Sequence, residues 1–507
     1  MNLVSQAAAV TVPFSSLASE NIVEGRLGVV DIGSNTVRLV IYDIPKRLPF
    51  PMYNEKVKCR LASGMLETGR LNPEGVEKAM SALSRFKKLG VAMGVENFEL
   101  LATSAVRDAS DGSLFVDQIL QSFGFTVKVL SGAEESKLSA VGVLNGLPEA
   151  DGLLGDLGGG SLDLISLNNG KFGKHATFPF GHIRLFEASG QDIEKARVLI
   201  TKEFSKTPLI ETLKGRTLYA VGGSWRKIAE IIFNATEYPL NVIDGFTMTA
   251  ETIMPHVRRI AGLEGNWRAL DHFGGSRADT LPIAAIVMER LLQIGAPKNI
   301  AFSRFGMRDG QMVKSLPDEM RRQDPFIMGC IAMTERNTRF SIGGKELVAW
   351  MSPLFEGETT DDFRLRLATC ILSDIGWDQH PDYRREYVFN IILRLPFAGL
   401  THEDRAFMAL TLFVRCGGEL KDPMVVPIRK LLRLEDLKKV QMIGLALRLA
   451  HTISGSAPSI IELTELKKKD GKLVLKFPES DDNFISEAVN RRLKRLARVL
   501  DLKPAVV

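Results

Sequence analysis

From Leu27 onward, short apolar runs alternate with polar turns and helical stretches in a recurring strand, turn, strand, helix order. Residues 27–44 carry apolar runs on both sides of a polar turn and predict a hairpin. Residues 72–89 begin at a capping asparagine with Pro73 in the first position, and predict a helix. Residues 98–102 read as a strand, 103–108 as a loop, 113–123 as a helix, 126–130 as a strand and 133–144 as a helix. A second round follows, with a hairpin over 152–167, a strand near 173–177, a strand-glycine-helix run over 217–233 and a strand, loop and helix start over 299–310. This order predicts the α/β class. Beyond about Leu316 the texture changes to amphipathic stretches at 361–375, 383–393, 403–416 and 434–453, which predict an all-helical domain. From about Ile460, two short strands around Lys469-Asp470-Gly471 and a helix over 484–500 predict a small α+β domain. The divisions expected are therefore 1–26 as a disordered tail, 27–145 and 146–315 as two α/β domains, 316–458 as the helical domain and 459–507 as the C-terminal one.

Two runs stand out, Asp31-Ile-Gly-Ser-Asn-Thr-Val-Arg38 and Asp156-Leu-Gly-Gly-Gly-Ser-Leu-Asp163, which repeat one design 125 residues apart. Each sets an acid at a strand end, turns through glycine and resumes an apolar strand. Glycine lets the turn aim backbone N–H groups at an anion while the acid holds a cation beside it, as a phosphate with a metal ion requires. Two such hairpins predict duplicated half-domains facing each other across a cleft. Gly222-Gly223-Ser224 and the run Ser303–Gly310 each lead into a helix, whose N-terminal amides suit phosphate. Between the hairpins lies Leu130-Ser-Gly-Ala-Glu-Glu-Ser-Lys137, a turn with two adjacent carboxylates at a helix start. Acids there complement the helix dipole, but in a phosphate cleft one of them is also a candidate base for water.

Composition narrows the setting. A 507-residue chain with 45% apolar and 25% charged residues reads as globular and multi-domain. Its longest apolar stretches, such as 281–287, are far shorter than a bilayer span, so no membrane partner is expected. No Lys or Arg precedes the apolar run at residues 7–12, which argues against a secretory signal. Four scattered cysteines, Cys59, Cys330, Cys370 and Cys416, form no C-x-x-C pair. A cytoplasmic location is expected. The net charge of +5 is concentrated late, in Lys467, Lys468, Lys469, Lys472 and Lys476 and in Arg491, Arg492, Lys494, Arg495 and Arg498. That run is either a solvated helix face or a track for a long polyanion. Nucleic acid is not the expected partner, because only Phe477 and Phe484 interleave the basic residues.

Asp31-Ile-Gly-Ser-Asn35, Ala102-Thr-Ser-Ala-Val-Arg107, Ser131-Gly-Ala-Glu-Glu135, Asp156-Leu-Gly-Gly-Gly-Ser161, Ala220-Val-Gly-Gly-Ser224, Arg277-Ala-Asp279 and Ser303-Arg-Phe-Gly-Met-Arg-Asp-Gly310 occur in an order and spacing that resembles the exopolyphosphatase/guanosine pentaphosphate phosphatase family. The likeness covers residues 27 to about 310. For the remainder it rests on length and helical texture. That family lies in the superfamily of actin, heat-shock chaperones and sugar kinases. The resemblance implies two actin-like, ribonuclease H-like domains forming a cleft, a homodimer, and removal of terminal phosphate from inorganic polyphosphate with Mg²⁺, or Mn²⁺ in its place. Carried over by motif, Glu135 is the water-activating catalytic residue, with Glu134 as the alternative, and Asp156 is the second essential acid. Asp31, Asp156 and Glu135 are the implied metal residues. Gly33, Ser34, Asn35, Thr103, Ser104, Gly158, Gly159, Gly160, Ser161, Gly222, Gly223 and Ser224 are the implied phosphate cradle, with Arg38 and Arg107 as positive partners of the leaving chain.

One departure concerns the helical domain, which in some family members resembles His-Asp metal-dependent phosphohydrolases. No His-Asp dipeptide occurs here, and His380, His402 and His451 read as surface or core residues. Three other readings stay open: 5′-phosphatase action on the guanosine pentaphosphate pppGpp, phosphotransfer from polyphosphate to ADP, and a non-enzymatic actin-like scaffold. The absence of G-x-x-x-x-G-K-[ST] excludes a P-loop kinase.

Overall fold

The computed structural model describes residues 25–44, 51–262, 279–337, 344–457, 459–478 and 485–507. The tail expected at 1–26, apart from its last two residues, lies outside these, as do Arg277, Ala278 and Phe484. The described residues divide into two compact units, one ending at Gln323 and one running from Asp324 to Val507.

The first unit contains two sheets of matching design. In the first, β1 (Gly25–Ile32), β2 (Thr36–Ile44), β3 (Pro51–Lys58), β4 (Val95–Ala102) and β5 (Val127–Val129) are ordered β3-β2-β1-β4-β5. In the second, β6 (Gly152–Leu157), β7 (Leu162–Asn168), β8 (Lys171–Phe178), β9 (Thr217–Val221), β10 (Thr247–Thr249) and β11 (Asn299–Phe302) are ordered β10-β11-β9-β6-β7-β8. Read from β8, the second order repeats the first, with β10 added antiparallel at the edge. In both, an antiparallel hairpin leads into strands that run parallel to its first strand and end beside its turn. Central strands such as β6 are apolar on both faces because helices cover both sides, whereas the edge strand β3 alternates half-buried with exposed positions.

The helix Pro73–Ala92 begins as the sequence predicts, with Asn72 accepting from the Gly75 N–H at 2.8 Å. Residues 103–108, read as a loop, instead form a one-turn helix, Ser104–Asp108. Five residues are too few to display a helical repeat. The helix Gly132–Leu144, which starts at the Glu134-Glu135 turn, lies in backbone contact with the helix Met307–Lys314 that follows β11. A Cβ at Gly310 would sit 1.8 Å from the Leu138 carbonyl oxygen, and one at Gly142 would sit 2.3 Å from that of Gly306. Only glycine at these crossings allows the two helices to come so close.

The second unit is helical, with Pro325–Asn337, Gly344–Met351, Thr360–Ile371, Pro381–Leu393, His402–Arg415 and Leu434–Ser454 as its main helices. It ends in a small sheet of β12 (Glu465–Lys469), β13 (Lys472–Lys476) and β14 (Lys503–Val506), with the helix Glu487–Val499 before the last strand. Strand β14, absent from the sequence reading, is four residues long and pairs parallel to β13. His380 caps a helix at the surface, His402 is buried, and His451 hydrogen-bonds to Ser456 at 2.6 Å and Ser373 at 2.9 Å. No helix among the described residues is long and apolar enough to cross a membrane.

Candidate active site

The two hairpin turns are built alike. The Gly33 N–H donates to the Thr36 carbonyl and the Gly158 N–H to the Ser161 carbonyl, each at 3.0 Å and each two residues after the acid. The turns meet: a Cβ at Gly160 would fall 2.5 Å from Ser104 Oγ and 2.7 Å from Ser34 Oγ, two buried hydroxyls that share a hydrogen bond at 3.1 Å. The second turn is also gripped from behind, where the His182 N–H donates to the Gly158 carbonyl at 3.1 Å and the Ile183 N–H to that of Gly159 at 3.1 Å. Between the turns opens a cavity of about 400 Å³.

Cross-strand register makes the duplicates chemically unequal. Asp31 faces Arg38 across β1 and β2, whereas Asp156 faces a second acid, Asp163, across β6 and β7. Asp163 is fully buried, accepting from Thr177 Oγ1 at 2.7 Å and Ser161 Oγ at 3.0 Å. Enclosure, opposed by the Thr177 bond and reinforced by Asp156, pushes its carboxyl up to about 6.

The capping turn separates the roles of the adjacent glutamates. Ser131 accepts from the Glu134 N–H, and the Glu134 carboxylate takes the Ser131 N–H at 3.0 Å in return, a capping box. With Lys128 at 3.0 Å as well, the Glu134 carboxyl is held down to about 2, chiefly by the Ser131 backbone bond. Glu135, one residue on, turns into the cavity. Its carboxyl is raised well above the ordinary range, first by enclosure, then by Asp163 and Asp156, with Arg107 opposing. Arg107 Nη1 lies 3.5 Å from Glu135 Oε2 and donates to the Leu130 carbonyl at 2.9 Å. Asp108 holds Arg107 at 3.2 Å and Arg184 of the second sheet's domain at 3.0 Å. Glu134→Gln is accordingly expected to lower the melting temperature by weakening the cap while leaving turnover within about twofold, because caps act on stability. Because Glu134 has a lowered pKa, its contribution is present above the ordinary glutamate value of 4.5 and fades as pH falls toward about 2. Melting curves of the variant at pH 7 and pH 3 measure this.

Of the residues expected from the sequence, Asp31, Gly33, Ser34, Asn35, Arg38, Thr103, Ser104, Glu135, Asp156, Gly158, Gly159, Ser161, Gly222 and Gly223 line the cavity. Glu134, Arg107, Gly160 and Ser224 do not. Arg107, expected beside the leaving chain, instead stands behind Glu135, and the Ser224 hydroxyl is buried with no hydrogen-bond partner among the described residues. The cations Lys56, Arg226, Lys227, Arg304 and Arg308, not expected from the sequence, line the same space. Arg304 and Arg308 sit inside the run Ser303–Gly310 already recognised, Arg226 and Lys227 stand just after Gly222-Gly223-Ser224, and Lys56 is signalled only by the alternation of an edge strand. Arg38 is lowered to about 10 by enclosure and by the nearby Arg308 and Arg226, so the cations crowd one another.

The expected metal set of Asp31, Asp156 and Glu135 is not a ready-made three-ligand centre, since no such group of acidic, histidine or cysteine side chains occurs among the described residues. Each carboxylate is drawn to its own partner. Asp156 Oδ2 accepts from Ser139 Oγ at 2.5 Å, Asp31 has Arg308 at 4.0 Å, and Glu135 has Arg107. The donors are nevertheless all oxygen, which suits Mg²⁺ or Mn²⁺. Mg²⁺ commonly takes one or two carboxylates and completes its shell with water and phosphate oxygens.

The paired sheets and the cleft between them, lined by carboxylates and cations, give the first unit an actin-like two-domain fold. The sequence profile of the Ppx/GppA phosphatase family matches residues 40–319, and that of the exopolyphosphatase C-terminal region matches residues 336–507. The chain belongs to the Ppx/GppA phosphatase family. It is 25% identical over 457 residues to Retrograde regulation protein 2 of Saccharomyces cerevisiae, covering 81% of this chain and 76% of that one. It is 26% identical over 307 residues to Exopolyphosphatase 1 of Mycobacterium tuberculosis, covering 58% of this chain and 89% of that one. The crystal structure of an exopolyphosphatase from Cytophaga hutchinsonii has the same fold, with a TM-score of 0.52 at 24% identity over 58% of this chain and 99% of that one.

Proposed function

We infer that this chain releases terminal orthophosphate from inorganic polyphosphate by in-line attack of water, with Glu135 as the base. The observation that carries this reading is the convergence on one cavity of a glutamate with a raised pKa, two hairpin aspartates and six cations, Arg38, Lys56, Arg226, Lys227, Arg304 and Arg308. The names of the mycobacterial relatives support the same substrate. Water would form the new P–O bond as the bridging P–O bond breaks; Glu135 takes the water's proton and the shortened chain departs with the bridging oxygen. Phosphoryl transfer passes through a loose transition state that needs positioning and charge stabilisation more than covalent help. The turn amides of both hairpins supply fixed donors for the phosphate oxygens, and the cations balance the chain. Arg107 keeps Glu135 aimed at the cavity. Mg²⁺, when held by Asp31 and Asp156, would neutralise charge on the transferred phosphoryl group.

The test is orthophosphate release from long polyphosphate and from pppGpp side by side, with and without Mg²⁺, and with ADP as a trap. Release from polyphosphate that depends on Mg²⁺ and not on ADP is the expected result. ATP formation without free phosphate would replace this reading with phosphotransfer. Stronger release from pppGpp would make the chain a guanosine pentaphosphate phosphatase.

The pH profile follows from the same carboxyls. Glu135 must be ionised to act, so turnover is expected to climb with pH through its raised pKa and then level off. Asp163→Asn removes a neighbouring negative charge, so the acid limb should move to lower pH. An unmoved limb would show that Asp163 does not couple to the base.

A second reading rests on Retrograde regulation protein 2, matched over 457 residues. On that reading the cleft binds a phosphate chain as a regulatory signal without turning it over. Saturable binding with no phosphate release at any pH would favour it. The homodimer goes with either reading and is measured by sedimentation.

A further inference from the structure

The C-terminal unit holds a separate concentration of positive charge. Arg415 closes the helix His402–Arg415, Arg448 belongs to Leu434–Ser454, and Arg491, Arg492 and Arg495 belong to Glu487–Val499. Three of the five are matched by acids. Arg415 reaches Asp374 at 3.1 Å, Arg495 reaches Glu419 at 3.1 Å, and Arg491 approaches Glu487 at 3.9 Å.

The other two are not matched. The guanidiniums of Arg448 and Arg492 have no hydrogen-bond or ion-pair partner among the described residues, although both are partly buried. Arg495, Arg491 and Arg415 repel the Arg448 charge, with the Cys416 thiol opposing them, and Arg448, Arg491 and Arg415 repel that of Arg492. Arg415 Nε is buried without a partner as well. The turn after Arg415 is shaped for this cluster. Gly417 has φ +100°, and a Cβ there would lie 2.7–2.9 Å from Nη2, Nη1 and Cζ of Arg448.

Gathering like charges where water is partly excluded, as at the half-buried Arg448 and Arg492, is unfavourable unless something of opposite sign joins them. The carbonyl end of the helix His402–Arg415 favours a cation nearby, but one helix end carries only about half a charge. Guanidiniums are the side chains best suited to grip phosphate oxygens in pairs. The patch is also bounded. Glu419 and Glu487 occupy Arg495 and Arg491, and Lys467, Lys468, Lys469, Lys472 and Lys476 lie on β12 and β13, where Lys468 donates to the Leu354 carbonyl at 3.4 Å. Two unmatched guanidiniums inside such a frame fit a short anion better than a long polymer.

We propose that Arg448 and Arg492, flanked by Arg415, Arg491 and Arg495, form a binding site for a compact phosphorylated anion, one presenting a phosphate or diphosphate group. This site is independent of the reading of the Asp31–Asp156 cleft.

The experiment is calorimetric titration of the full-length protein with inorganic pyrophosphate, comparing the native chain with Arg448→Gln/Arg492→Gln. The native chain should show one more saturable site than the double variant, or that site's affinity should fall about ten- to hundredfold, as expected for lost charge-assisted hydrogen bonds. In phosphate-free buffer the variant should melt at a higher temperature, because repulsion is relieved. If the double variant does not fold, Arg492→Gln alone carries the comparison. Unchanged stoichiometry and affinity would overturn the proposal. So would a site that pyrophosphate leaves empty and long polyphosphate fills.

Discussion

Glu135→Gln is expected to reduce phosphate release about a thousandfold while making the ligand-free protein more stable. The first effect follows from losing a cavity-facing carboxyl whose pKa is raised well above the ordinary range, a general base whose contribution is commonly 10²–10⁴-fold. The second follows from linkage. A carboxyl with a raised folded pKa binds its proton more tightly in the folded state, so the fold is strengthened below that pKa and weakened as pH rises through it. Asp31, Glu135, Asp156 and Asp163 are all shifted upward, and for Asp163 the window runs from the ordinary 3.8 to about 6. At pH 7.5 the neutral amide removes one member of this crowded set, and the melting temperature should rise. At pH 4, where Glu135 is itself protonated, the two proteins should melt together. Melting curves in metal-free buffer at the two pH values measure this, beside turnover at the higher one. A variant that is inactive and less stable at pH 7.5 would point to lost structure in place of lost chemistry.

Gly310→Ala is expected to destabilise the first unit by about 3 kcal/mol or more, at the upper end of what overpacking does. Its added methyl would meet the Leu138 carbonyl oxygen at 1.8 Å, and a helix backbone cannot rotate aside as a side chain can. Relief requires the helix Met307–Lys314 to separate from Gly132–Leu144, and the latter carries Glu135 into the cavity. Stability and turnover should therefore fall together. Gly262→Ala is the control, since its nearest neighbours are backbone oxygens at 3.3 Å and 3.9 Å and it lies at a helix end. Denaturant unfolding of both variants checks the difference.

Much of this architecture was legible because its signals are local. An acid two residues before a glycine, repeated at Asp31 and Asp156, specifies the hairpins, and the order of strands and helices around them specifies the paired sheets. Asn72 with Pro73 fixes a helix start within a residue. What stayed hidden depended on register and distance. That Asp163 faces Asp156, where Arg38 faces Asp31, follows from aligning the two hairpins position by position, because Arg38 and Asp163 both stand seven residues after the acid. The family motif already put Glu135 ahead of Glu134, and the capping box adds the physical reason, since it consumes one carboxylate and leaves the next to line the cavity. Lys56 and Arg304 reach the cavity from elements far apart in the chain, and no local pattern joins them. The helix Ser104–Asp108 and strand β14 were missed because four or five residues are too short to show a period.

The central claim is that water, activated in the cleft by Glu135, is the phosphoryl acceptor. Incubating the protein with polyphosphate and Mg²⁺ in ¹⁸O-water, without any nucleotide, and analysing the orthophosphate by mass spectrometry tests it most directly. The account predicts one ¹⁸O atom in each phosphate released, and almost no release from Glu135→Gln. Orthophosphate that appears only when ADP is added, or polyphosphate that is bound but never shortened, would contradict it.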